Sequence, residues 1–96
     1  MSDHLELPIG LRHCQAEVVF LTRVGCCLCV DAKNEMQKLQ REIPFEFQEF
    51  DIDKDSSLRE QYNDEVPVIF IHGKKAFKYK IDAKQFLRRL VAGRRK

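Results

Sequence analysis

Two rhythms of apolar residues alternate along this chain of 96 residues. Within residues 17–22 the unbroken run Val18-Val19-Phe20-Leu21 is β-branched or aromatic for the most part, as expected of a strand buried on both faces. From Leu28 the period changes. Leu28, Ala32, Met36, Leu39 and Ile43 recur at steps of three and four, one face of a helix, with Asp31, Lys33, Glu35, Lys38 and Arg41 on the others. Pro44 stops that helix.

The segment from Phe45 to Ile52 alternates Phe45, Phe47 and Phe50 with polar residues and predicts a second strand with a wetter outer face. Ser57 with Glu60 fits a capping box for a short helix through Tyr62, closed by Asn63-Asp64. Val66-Pro67 precedes a second unbroken run, Val68-Ile69-Phe70-Ile71. After a turn at His72-Gly73-Lys74-Lys75, residues Ala76 to Ile81 set Phe77, Tyr79 and Ile81 against Lys78 and Lys80, which predicts a hairpin. Asp82 then caps a last helix with the stripe Ala83, Phe86, Leu87, Leu90 and Val91, ending before Gly93. The predicted order is β-α-β-α-β-β-α. The first two strands are expected to be parallel, because a crossover helix returns the chain in the same sense.

Residues 1–16 show no sustained period, and Pro8 and Gly10 interrupt them, so they are expected to form a tail or loop. The domain is placed at 17–92 and a basic tail at 93–96. One core is all that this length supports. With 44% hydrophobic and 33% charged residues, the chain has the composition of a soluble globular domain. No apolar run approaches the ~18 residues of a membrane span. The opening residues lack a secretory signal, and Asp3 and Glu6 argue against a mitochondrial leader. An intracellular, reducing setting, the cytoplasm first, is expected.

Net charge is +2, but residues 1–73 carry −7 and residues 74–96 carry +9. A solvated basic face is the simpler reading of that asymmetry. No aromatic residue interleaves with Arg94-Arg95-Lys96, so nucleic-acid binding is not expected.

Three of the four cysteines, Cys26, Cys27 and Cys29, fall within four residues, with Cys14 apart. Such a cluster cannot staple distant segments, so it points to reactivity or metal. Cys26 and Cys29 stand three apart where a strand turns into a helix. A thiol at a helix start feels the partial positive charge of the unsatisfied N–H groups, which favours thiolate. A second thiol one turn on is within reach to resolve a mixed disulfide. That pair is the minimum equipment for thiol–disulfide exchange.

The Cys-x-x-Cys after strand 1, the element order and the Val-Pro before strand 3 resemble the glutaredoxin branch of the thioredoxin fold. More closely, the chain resembles the small single-domain glutaredoxin-like proteins over about residues 17–91. The shared segments are Thr22 to Cys29, Asp51-Ile52-Asp53, Leu58-Arg59-Glu60-Gln61-Tyr62 and Val66-Pro67-Val68. The resemblance implies a four-stranded mixed sheet in order 2-1-3-4, with helices 1 and 3 on one face and helix 2 on the other. It implies a cis Val66–Pro67 bond that presents the Val66 backbone to a substrate. It also assigns Cys26 as nucleophile, Cys29 as resolving thiol, Arg23 to thiolate and glutathione carboxylate, and Asp82 to glutathione. Members commonly carry proline where Cys27 stands, and glutathione binders usually have a Gly-Gly pair where this chain has the lone Gly73.

The expected activity is disulfide exchange with protein disulfides or glutathione mixed disulfides, by a monomer without a tightly bound cofactor. Glutathione is the candidate co-substrate. Two other readings stay open: a metal or iron–sulfur site built on Cys26, Cys27 and Cys29 with Cys14, His13 or His72, and a redox-inactive binding module. His4, His13 and His72 are expected as surface or loop residues before ligands.

Overall fold

The computed structural model of the protein describes Leu7, Leu11 and residues 16–94. The elements are β1 (Val18–Thr22), α1 (Cys27–Glu42), β2 (Phe47–Asp51), a single 3-10 turn (Ile52–Lys54), α2 (Ser56–Tyr62), β3 (Val68–Ile71), β4 (Lys74–Lys78) and α3 (Ala83–Arg94). The sheet order is β2-β1-β3-β4. β1 runs parallel to β2 (Val18 beside Phe47, Thr22 beside Asp51) and antiparallel to β3 (Val18 beside Ile71, Leu21 beside Val68). The mixed sheet, its order and the element sequence agree with the expected thioredoxin fold.

The two unbroken apolar runs are the two central strands, which explains them. A strand with neighbours on both sides and helices on both faces has no wet position. Val18, Phe20, Leu21, Val68, Ile69 and Phe70 are all at most 1% exposed. Successive β3 residues point to opposite faces. Phe70 meets the ring of Tyr62 on α2 edge-on at 6.3 Å, while Phe77, paired with Ile69, stacks with Phe86 of α3 at 6.3 Å. The sheet therefore separates α2 from α3, which shares its face with α1.

Local details depart from the sequence reading in five places. First, the buried stripe of α1 is Cys29, Ala32, Met36 and Leu39, while Leu28 is 41% exposed. Leu28 lies beside Tyr79, Lys80 and Ile81 in a shallow surface depression and is only partly covered there. Second, the cap of α2 is Asp55, whose Oδ1 accepts from the N–H groups of Ser57 (2.9 Å) and Leu58 (3.2 Å); the Ser57–Glu60 box is not used. A carboxylate at the N-cap satisfies two orphan donors and opposes the helix dipole as well.

Third, the hairpin turn is confined to His72 (φ 52°) and Gly73 (φ 82°), the two positive-φ positions of a primed turn, and β4 starts at Lys74. A bulge at Ala76 and the positive φ of Tyr79 (73°) then end β4 at Lys78, short of Ile81. Fourth, α3 continues through Gly93 to Arg94. Glycine is needed there because a Cβ would run into the imidazole of His72, whose Nε2 lies 2.9 Å from the Leu90 carbonyl oxygen. Arg94 belongs to this helix rather than to a tail. It grips the Glu17 carboxylate at 2.7 and 2.8 Å and the Pro44 carbonyl at 2.7 Å.

Fifth, Leu7 (4% exposed) and Leu11 (6%) are core residues, so these two positions of the expected tail pack against the domain. Cys14, His4, His13, Arg95 and Lys96 lie outside the described residues.

Candidate active site

β1 ends at Thr22, and four residues carry the chain round into α1. Gly25 has φ 84°, a conformation that a side chain strains, and the Cys26 N–H closes the turn on the Arg23 carbonyl at 3.3 Å. Cys26 is thereby the N-cap of α1, with extended backbone (φ −89°, ψ 114°), and its Sγ accepts the N–H of Cys29 at 3.2 Å. A sulfur in the cap position takes the place that a serine or aspartate oxygen usually fills. The donor aimed at it is one of the orphan N–H groups of the first turn, and it stabilises negative charge on the sulfur.

The three clustered thiols enter three environments. Cys26 is half-buried, Cys27 exposed and Cys29 3% exposed, and none is in a disulfide. Burial, first of all, pushes the Cys29 thiol up to about 11; its hydrogen bond to Cys26 and the Cys26 charge add to this, while the Thr22 hydroxyl and the Arg23 backbone act the other way. At neutral pH Cys29 is held as the thiol. Among the described residues no three or more His, Cys, Asp or Glu side chains gather as metal donors. Cys26 and Cys29 lie side by side, while Cys27 is exposed.

The Arg23 guanidinium is engaged by Asp53 and Asn63. Its Nε and one terminal nitrogen donate to both oxygens of Asp53, at 3.0 and 2.9 Å, and further bonds go to the Asn63 carbonyl (3.0 Å) and Oδ1 (2.8 Å). The guanidinium holds the Asp53 carboxyl below the usual carboxylate range. Its direct work is to tie the loop before Cys26 to the 3-10 turn and the end of α2.

Val66–Pro67 is cis. Leu21, near the end of β1, pairs with Val68, the first residue of β3, so Pro67, which precedes Val68, lies at the same end of the sheet as Thr22 and the cysteine loop. The Pro67 carbonyl accepts from the Tyr79 N–H at 2.9 Å. Asp82 accepts the Gln85 N–H on Oδ1 at 3.1 Å, the cap of α3. Lys75 is paired with Glu65 at 3.0 Å.

A cleft of about 750 Å³ opens beside Cys26 and Cys29, between α1 and β2. Val24, Val30, Phe50, Lys54 and Leu11 line it; of these, sequence patterning marks only Phe50, as an apolar position of β2 and not as part of a site. Val24 carries a further signal, an apolar residue inside the polar turn Thr22–Gly25. No described helix is long and apolar enough to cross a membrane.

Residues 17–91 match the model of the glutaredoxin-like domain family (DUF836). A curated relative, the uncharacterized protein Rv0508 of Mycobacterium tuberculosis, is 30% identical over 71 residues, covering 69% of this chain and 73% of its own. A glutaredoxin-like protein YDR286C homolog of Dictyostelium discoideum is 36% identical over 69 residues, 66% of this chain and 64% of its own. Among solved structures, protein Ne2328 of Nitrosomonas europaea superposes with a TM-score of 0.66 at 31% identity, covering 76% of this chain and 88% of that one. Fasciola hepatica thioredoxin, with a TM-score of 0.54 at 21% identity over 79% of this chain and 78% of its own, shares the fold. A dithiol loop on a thioredoxin fold and a family match that spans the whole sheet together make this chain a member of the glutaredoxin-like domain (DUF836) family.

Proposed function

We propose that the protein is a thiol–disulfide oxidoreductase in which Cys26 is the nucleophile and Cys29 the resolving thiol. One observation carries the reading. The Cys26 sulfur sits at the N-cap of α1 with the Cys29 N–H donated to it, while the Cys29 thiol lies buried one turn further in.

The sequence of steps follows from that asymmetry. The Cys26 thiolate attacks one sulfur of a substrate disulfide, a protein–substrate S–S bond forms, and the other substrate sulfur leaves and takes a proton. Cys29 is kept protonated up to this point by burial and by Cys26. Once the Cys26 sulfur is covalently engaged, its charge is gone, and that contribution to the raised Cys29 value goes with it. Cys29 then loses its proton and attacks Cys26, releasing the second substrate thiol. The substrate is reduced by two electrons, and the protein is left with a Cys26–Cys29 disulfide.

The Val66 backbone, beside the cis Pro67 at the same end of the sheet, is the segment on which an extended substrate would pair. Glutathione or a thioredoxin-type reductase returns the two electrons, and a reducing intracellular compartment suits both. Asp82 at the start of α3 is the candidate contact for glutathione, and Arg23 serves the site through the loop that it anchors.

Incubation of Cys29→Ser protein with a disulfide substrate tests the reading by intact mass. A stable adduct at Cys26 is expected, none in Cys26→Ser, and no turnover in either variant. Equal adducts on Cys26 and Cys27, or turnover by Cys26→Ser, would sink it.

A further inference from the structure

Four large apolar side chains are exposed on the described surface, and two of them, Val24 (84%) and Val30 (58%), stand on the same side of Cys26. Both belong to the cleft of about 750 Å³, whose other apolar lining is Phe50, Leu58 and Leu11. That volume lies inside the ~300–1,000 Å³ of ligand sites. The charged lining is largely occupied with itself. Glu49 pairs with Lys33 at 2.9 Å, Asp51 accepts the Asp53 N–H at 2.9 Å, Asp55 caps α2, and Arg23 is bound to Asp53 and Asn63. Among the described residues Lys54 is the charged lining side chain left without a partner. What the cleft offers a ligand is therefore apolar surface and the Lys54 ammonium, beside the Asp51 and Asp55 carboxylates that are engaged by backbone N–H groups.

Its position is as telling as its chemistry. The lining comes from the end of β1, the cysteine loop, α1, β2, the 3-10 turn and α2, with Leu11, and none comes from β3, β4 or the Val66–Pro67 segment on the other flank. The geometry points to this cleft as a second substrate subsite, which receives the apolar residues flanking the reacting cysteine of a peptide disulfide and an acidic side chain that meets Lys54. The assignment rests on Cys26 as nucleophile, because the ligand reaches the cleft through its sulfur. Glutathione, which has no apolar side chain, would leave Val24, Val30 and Phe50 uncovered. A protein segment covers them.

Single-turnover reduction by the fully reduced, full-length protein tests this with the symmetric disulfides of three acetylated tetrapeptide amides: Leu-Cys-Val-Glu, Ser-Cys-Ser-Glu and Leu-Cys-Val-Lys. The protein dithiol supplies both electrons, and peptide thiol is counted by chromatography after acid quench. Burial of aliphatic side chains and one ion pair predict that the first peptide reacts about tenfold faster than either of the others. Val30→Ser is expected to erase the gap between the first and second peptides, and Lys54→Glu to invert the gap between the first and third. Lys38→Glu makes the same charge change on an exposed part of α1 away from the cleft and should alter neither ratio.

Equal rates for all three peptides, or ratios that survive both cleft variants, overturn the subsite while leaving the oxidoreductase standing. If the wild type reduces neither the peptides nor glutathione disulfide, the oxidoreductase reading itself falls. The subsite is then judged by titrating the serine analogue of the first peptide into ¹⁵N-labelled protein. Shifts at Val30, Phe50 and Leu58 keep it, and their absence removes it.

Discussion

Replacing Gly93 by alanine should destabilise the protein, although helix propensity alone says the opposite. Alanine in a helix interior is worth about 1 kcal/mol over glycine. One residue from the end of α3, about half of that is a fair expectation. Against this, the new Cβ would run into the His72 imidazole, including the ring carbon nearest the backbone, so swinging the ring tip aside does not relieve it. Moving the whole ring breaks the 2.9 Å contact of Nε2 with the Leu90 carbonyl, worth about 1 kcal/mol. Overpacking adds about 1–3 kcal/mol. The losses win, with a net destabilisation of about 2 kcal/mol and a fall in Tm of roughly 10 °C for a domain of this size.

Urea unfolding followed by circular dichroism measures this, with the midpoint shifted and the slope unchanged. The decisive arm is the same substitution in a His72→Ala background. There the obstacle is gone and Gly93→Ala should become stabilising by about 0.5 kcal/mol, the propensity gain alone. A neutral or stabilising Gly93→Ala in the wild type, or an equal loss in both backgrounds, would refute the argument that His72 is what requires glycine.

Acid stability should depend on Glu17. Its carboxyl is held below its ordinary value, chiefly by the Arg94 hydrogen bonds, so the stabilisation is present above the unfolded pKa and fades as pH falls through the lower folded one. Urea midpoints of Glu17→Gln should thus lie below wild type at pH 7 and converge with it well below pH 4.5. A gap that stays constant down to pH 3 would mean that the pair's charge contributes nothing. Removing Cys26 takes away two of the causes that raise Cys29, so Cys26→Ala should bring the midpoint of Cys29 alkylation by iodoacetamide down from about 11, read by peptide mass spectrometry. An unchanged midpoint would leave burial as its sole cause. Leu11→Ala, at a position 6% exposed, should cost about 2–4 kcal/mol, whereas a free tail would show no change in the denaturation midpoint.

The elements and their order were legible in the sequence because each is written in a short-range pattern. Two unbroken apolar runs became the two central strands, Pro44 ended α1, and Asp82 began α3. The Cys-x-x-Cys announced its place as well, since a strand end, a glycine turn and a helix start all lie within eight residues. Local pattern is less able to phase a helix at its ends. Leu28 and Cys29 both suit the first turn of α1, and only the packing of the whole domain decides that Cys29 is buried and Leu28 only partly covered.

What tertiary structure alone decided are pairings across long stretches of chain. Arg23 finds Asp53 thirty residues on, Arg94 finds Glu17 seventy-seven residues back, and Gly93 is shaped by a ring on the β3–β4 turn. The cleft beside Cys26 draws its walls from β1, α1, β2, the 3-10 turn and α2, elements far apart in the chain, and the raised Cys29 thiol is first of all a product of burial. Periodicity and capping act within a turn or two of the chain, so a sequence displays them directly. Burial, partner choice and cavity shape exist only once separate elements are packed, and they decide which of the legible residues can do chemistry.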